Sequence, residues 1–173
     1  FYAIGNTAVG SDVTTKAALL ALAETAPSTY NGTFSDVTSK SLRSGGFLMS
    51  GYATQTIESG DTPTQVAITL KRDVAKIAVQ TSLSSDFSSR YPGAVKITSA
   101  KISRAASQTP YFTGTAKPGA MTFTHTQTPG STSAKFNNLF YVFENGALGT
   151  GSRVLLTLDG IYDRDGDFST EED

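Results

Sequence analysis

The sequence predicts an all-β fold with one short helix. Three observations carry this. The chain of 173 residues holds 20 Ser and 25 Thr, about a quarter of its length, with only 17% charged residues, the profile of a loop-rich β protein exposed at a surface. Its apolar residues alternate in short runs bounded by Gly, Pro, Asn and Asp, the period of half-buried strands. Helical spacing occurs once.

Taken in order, Phe1 to Ile4 reads as a strand ending at a Gly5-Asn6 turn. Residues 12–25 read as the helix. Asp12 or Ser11 would cap it, Ala18, Leu19, Leu22 and Ala23 make its apolar stripe, and Pro27 stops it. Residues 27–46 form a long polar loop, and Phe47-Leu48-Met49 a short apolar strand. Residues 60–63 make a turn. Val66, Ile68 and Leu70 then alternate on one parity, and Ala75, Ile77 and Val79 on the other. A strand changes its buried face only through a bulge or a turn, so a break is expected at Lys71-Arg72-Asp73. A second slip separates Val95 and Ile97 from Ala100 and Ile102. Such changes of partner or face suit β-sandwiches with crossed sheets.

Residues 107–135 contain three prolines, many threonines and little periodicity. They read as a linker, which divides the chain into an N-terminal domain, residues 1–106, and a linker with a partial second domain, residues 107–173. Residues 139–143 form a buried strand by composition. Residues 144–152 make a flexible hairpin loop, and Val154, Leu156 and Leu158 alternate on the returning strand. Arg164-Asp165-Gly166 is a turn, and Asp167-Phe168-Ser169 begins a further strand. Both ends of the chain read as cut.

Several functional classes lose support at once. The chain has no Cys and one His. Disulfides, thiol nucleophiles and Cys-ligated metals are therefore excluded, and so are multi-histidine metal sites. With 14 basic against 15 acidic residues, the balance gives no support to a nucleic-acid partner. The cluster Lys71, Arg72 and Lys76 lacks the aromatic residues of a stacking platform. The glycines make no phosphate-binding fingerprint, so no cofactor is expected. His125 has no Gly-x-Ser-x-Gly elbow and reads as a surface or loop histidine. Asp163, Asp165 and Asp167 suggest a calcium loop, but Phe168 stands where an EF-hand needs Gly, and a solvated turn is the simpler reading. Asn31-Gly32-Thr33 matches a glycosylation acceptor by pattern alone. No catalytic, cofactor-binding or metal residue is assigned.

Four segments, in order, resemble the type V fimbrial subunit (fimbrillin) family of Gram-negative surface pili. They are Phe1-Tyr-Ala-Ile-Gly-Asn6, Phe47-Leu-Met-Ser-Gly51, Leu70-Lys-Arg-Asp-Val-Ala-Lys76 with Ile77 and Val79, and Phe140-Tyr-Val-Phe-Glu-Asn145. The resemblance implies transthyretin-like β-sandwich domains, the second incomplete here. It implies export, a lipid anchor on the precursor only, and an extracellular place at the outer membrane surface. Its partners would be other fimbrial subunits, joined by strand insertion along open edges, with host proteins or glycans as adhesion ligands. Val66, Ile68, Leu70, Ile77, Val79, Phe140 and Val142 are then the candidate residues of a core or groove that a neighbouring strand completes. The alternative is a non-polymerising surface sandwich that binds a glycan or host protein, with Tyr30, Tyr52, Tyr91 and Tyr111 as the aromatic candidates.

Overall fold

A computed structural model describes residues 1–25, 46–60, 62–112, 121–145, 149 and 151–169. The protein is mostly β-strand with little helix. The strands are β1 (Tyr2–Gly5), β2 (Ala23–Thr25), β3 (Met49–Tyr52), β4 (Lys71–Arg72), β5 (Val74–Gln80), β6 (Ala94–Ala105), β7 (Gln108–Pro110), β8 (Met121–Thr126), β9 (Asn137–Phe143) and β10 (Leu155–Asp163). Two helical turns, α1 (Lys16–Leu20) and α2 (Phe87–Arg90), complete the described elements. The ladders run β1-β3-β4, β10-β6-β8, β2-β7 and β5-β9, and every pairing is antiparallel.

Strand β9 organises the rest. Six of its seven residues are buried, although alternate side chains of a strand point to opposite faces. On one face Phe140 and Val142 pack with Val79 of β5, Ala100, Ile102 and Ala105 of β6, and Phe123 of β8. On the other, Leu139, Tyr141 and Phe143 pack with Ala106, and Phe47 and Val74 lean on them. Residues 139–143 are apolar or aromatic without a break because the strand has no solvent face there.

The two parity slips have different physical forms. At Asp73 the chain leaves one sheet for another: Lys71 and Arg72 pair with β3, and Val74 onward pairs with β9. In β6 the slip is a bulge. Ser99 opposes Asp159 and Ile97 opposes Gly160, which leaves Thr98 as the extra residue. Ile97, Ala100 and Ile102 therefore all meet the same core. The bulge is held from outside, since Gln127 N donates to Thr98 O at 2.9 Å and Ile97 N donates to Ser133 O at 3.0 Å. A second bulge lies between Ile102 and Ala105, where Arg104 takes a φ of 60°. It turns Ala105 into the core as well.

Four expectations are corrected. The helix spans five residues rather than residues 12–25, and Thr15 caps it by accepting from Ala18 N at 3.1 Å. Ala23–Thr25 is instead a strand paired with β7, and Tyr111 N donates to Leu22 O at 3.0 Å. This long-range ladder overrides the local apolar stripe. Residues 144–152 do not close a hairpin, because β9 pairs with β5 and β10 with β6. Asp167-Phe168-Ser169 is not a strand. Finally, the division after residue 106 is crossed by the ladders β2-β7, β5-β9, β6-β8 and β10-β6 and by the main buried cluster. Residues 107–135 hold β7 and β8 rather than a bare linker. The long loop 27–46 lies almost wholly outside the described residues, as do Asn31 and Tyr30.

Phe140 is fully buried at the centre of the main cluster. Phe140→Ala is expected to destabilise the fold by about 3–5 kcal/mol through lost transfer energy and a cavity. Urea unfolding followed by tyrosine fluorescence checks this, with an unchanged midpoint as the contrary result.

Candidate functional site

The most distinctive surface is β10. It is an edge strand with one ladder partner, β6, among the described residues. Leu155, Leu156, Leu158, Ile161 and Tyr162 are all 43–48% exposed. Cross-strand partners share a face, and Leu156 and Leu158 oppose Ile102 and Ala100. Those two β6 residues lie buried beneath β9. Leu156 and Leu158 thus continue the core face of the three-stranded sheet outward to exposed positions. Leu155 and Ile161 stand on the outer face of the same strand, by alternation from their partners Ser103 and Lys96. Sequence reasoning found the alternation of Val154, Leu156 and Leu158 but not that Val154 packs on the main cluster while Leu156 and Leu158 are exposed.

The candidate core and groove residues fall into two groups. Val79, Phe140 and Val142 are buried in the main cluster, and Ile77 packs against it. Val66, Ile68 and Leu70 are half-buried and lie in neither buried cluster. Their alternation is present in the structure, with Ala67 and Thr69 exposed between them, yet residues 63–70 belong to no ladder. The segment lies across the face of β3. A Cβ built on Gly51 would come within 2.2 Å of Thr69 O and 3.2 Å of Ile68 Cγ2, and Leu70 Cδ1 lies 3.5 Å from the corresponding position on Gly5. Gly51 is thus what permits so close an approach.

Asp73 sits where the chain changes sheets. Its Oδ2 is buried without a hydrogen-bond partner. Burial, then the nearby Glu24 carboxylate, pushes the carboxyl up to about 6, against a smaller opposing effect of the Ser50 hydroxyl. Ser50 is itself buried and donates to Tyr111 O. The corner therefore gathers β2, β3 and the start of β5 around one acidic group.

His125, expected at the surface or in a loop, is buried on β8 at 4% exposure. It opposes Ala100 and faces inward. Its Nε2 donates to Leu139 O at 3.0 Å, and its ring lies 4.5 Å from that of Phe140. Burial lowers its affinity for a proton, partly offset by the Leu139 carbonyl. The arrangement ties β8 to β9.

The acidic turn is self-satisfied. Asp163 Oδ1 accepts from Asp165 N and Gly166 N, each at 3.1 Å, and Oδ2 accepts from Phe168 N. Its desolvation, which raises the carboxyl, is outweighed by the donors, led by Gly166 N–H, and it lies below the usual carboxylate range. Ligand atoms of Asp163, Asp165 and Asp167 lie within 4.8 Å of one another.

Aromatic side chains gather in two partly exposed patches, each mixing half-buried with exposed rings. Tyr2 contacts Phe112 at 4.9 Å and Tyr52 at 6.0 Å. Phe87 contacts Tyr91 at 5.5 Å and Tyr162 at 6.5 Å, and Tyr162 OH donates to Pro92 O at 2.5 Å. Tyr52 and Tyr91 are more than half exposed, whereas Tyr111 is half-buried. Lys71 and Arg72 are exposed on β4. No helix among the described residues is long and apolar enough to cross a membrane. No family model, curated protein or solved structure matches this chain.

The raised Asp73 carboxyl gives a signed pH dependence. The folded state holds this proton more tightly than the unfolded chain, so the contribution is fully present below about pH 4 and lost as pH rises through about 6. Asp73→Asn should stabilise the protein by about 1 kcal/mol at pH 8, after allowance for solvent screening. The gain should shrink toward zero at pH 4. Thermal melts of both proteins across this range check it, and a gain independent of pH is the contrary result.

Proposed function

We propose that this chain is a structural subunit of a cell-surface fibre, a pilus or fimbria, that joins its neighbours by strand addition, with adhesion as the consequence. The observation that carries the reading is β10, an apolar edge strand among the described residues whose core-facing leucines stay nearly half exposed. Exposed apolar edges of this kind are normally blunted or covered in monomeric proteins. A strand laid along β10 would satisfy its outward backbone groups and cover Leu156 and Leu158. The finer architecture proposed is a transthyretin-like sandwich in which β10-β6-β8 faces β5-β9, its core incomplete until a neighbour's strand arrives.

The burial still available supports the energetics. Covering the exposed part of each apolar side chain on β10 contributes roughly 1 kcal/mol, about half of full burial. Backbone pairing adds to this, while the entropy of ordering opposes it. The Ser- and Thr-rich composition suits an exposed fibre. On this reading the protein is not an enzyme and takes no cofactor. Its partners are further fimbrial subunits, its place is outside the cell at the outer membrane surface, and a lipid anchor belongs to the precursor alone.

A second reading rests on the partly exposed patch of Phe87, Tyr91 and Tyr162: a non-polymerising sandwich that holds a glycan or a host protein. Aromatic faces stack on sugar rings, and Tyr91 is the most exposed of the three. A glycan-array signal abolished by Tyr91→Ala would favour it.

The first reading expects mass to grow with concentration in sedimentation velocity, and Leu158→Asp to reduce association at least tenfold. Because Leu158 is nearly half exposed, its far-UV dichroism and melting temperature should stay close to those of the parent. A parent chain that remains monomeric at millimolar concentration overturns the reading.

A further inference from the structure

The strand-addition reading leaves open which segment is added, and the structure holds a candidate within the chain itself. Residues 66–70 alternate half-buried Val66, Ile68 and Leu70 with exposed Ala67 and Thr69. They carry the side-chain pattern of a strand without its ladder. The described backbone at 53–60 and 62–65 belongs to no helix or strand, and most of its residues are exposed. An extended residue rises about 3.3 Å, so the segment can swing out about its Lys71 anchor by at most about 16 Å at Val66 and only a few ångströms at Leu70. Downstream, β4 and β5 anchor it by two ladders.

We infer that Val66–Leu70 is a latent strand that pairs with β10 of a second copy of this chain. This inference rests on the strand-addition reading and names the partner at that edge. The two elements fit by chemistry. The donor offers three apolar side chains at a period of two, and the acceptor offers Leu156 and Leu158 at the same period on one face. The donor's remaining residues, Ala67 and Thr69, are small. Among the described residues the donor backbone joins no ladder, and β10 has none beyond β6. Donor and acceptor are different surfaces of one chain, so the joint is heterologous and repeats from copy to copy. Gly51 sets the resting state, because it alone lets the segment lie against β3 at the observed closeness.

The test uses the full chain and three variants. Ile68→Asp removes the donor and leaves β10 intact. Leu158→Asp removes the acceptor and leaves residues 66–70 intact. Gly51→Val fills the space taken by Thr69 O and should release the segment. Sedimentation velocity is expected to show a concentration-dependent series for the parent and monomers for each Asp variant alone. An equimolar mixture of the two Asp variants should form dimers and nothing larger, since only one intact joint exists. Gly51→Val should associate at least tenfold more strongly than the parent. The chain has no native Cys, so Thr69→Cys and Thr157→Cys placed on separate copies should give a mixed disulfide on oxidation. Dichroism and melting curves confirm that the variants remain folded.

The outcomes separate two failures. If the parent does not associate, strand addition itself is wrong. If the parent and Ile68→Asp associate equally while Leu158→Asp does not, β10 accepts a strand but residues 66–70 do not provide it, and this inference is overturned. Failure of the mixed variants to dimerise overturns it as well.

Discussion

The structure depends on the two-sided burial of β9. A strand with apolar residues on both faces needs cover above and below, and β5, its one backbone partner among the described residues, contributes only Val79 and Ile77 on one side and Val74 on the other. Cover on one side comes from β6 and β8, and on the other from Phe47, Val74 and Ala106. His125 adds a polar tie from β8 to the β9 backbone. Because β5 must lie beside β9, the chain leaves the β1-β3-β4 sheet abruptly at Asp73. The buried and partnerless oxygen of that carboxylate is a local cost of the crossing. Asn138, fully buried on β9 with neither side-chain polar atom bonded, is a second cost of the same arrangement. Both belong to a core built around one strand rather than around a symmetric pair of sheets.

The open surface is an edge of the same core. Among the described residues β6 has a ladder partner on each side, β8 and β10, and β10 has only β6. The leucines of β10 continue the buried row of Ala100 and Ile102 but end in solvent. The wide exposure of β10 is therefore an outcome of its edge position, not of poor apolar content. The proposed strand addition would complete this edge, and the alternation at residues 66–70, which joins no described ladder, has a matching form.

What was legible in the sequence was local. Parity slips at residues 71–73 and 97–100 located a sheet crossing and a bulge, because the strand period of two admits no other way to change faces. The composition of residues 139–143 marked a buried strand. The Gly5-Asn6 turn was also readable: Asn6 takes a φ of 64° and its Nδ2 donates to Phe47 O at 2.8 Å. What was not legible was long-range. Ala23–Thr25 followed an apolar helical stripe until β7, more than eighty residues away, claimed its backbone. Residues 107–135 looked like a linker because β7 is short and β8 alternates Thr with Phe123 and His125. The pairing of β10 with β6 rather than β9 left no local trace. The candidate site shares this limit, since its residues were visible as a strand and their exposure was set by where that strand stands in its sheet.

Hydrogen exchange on β10 tests the account most directly. Amides of residues 155–163 that point away from β6 should exchange rapidly in dilute protein and become strongly protected once subunits associate, while β9 stays protected throughout. Association that leaves exchange along β10 unchanged would contradict the claim that this edge is where a strand is added.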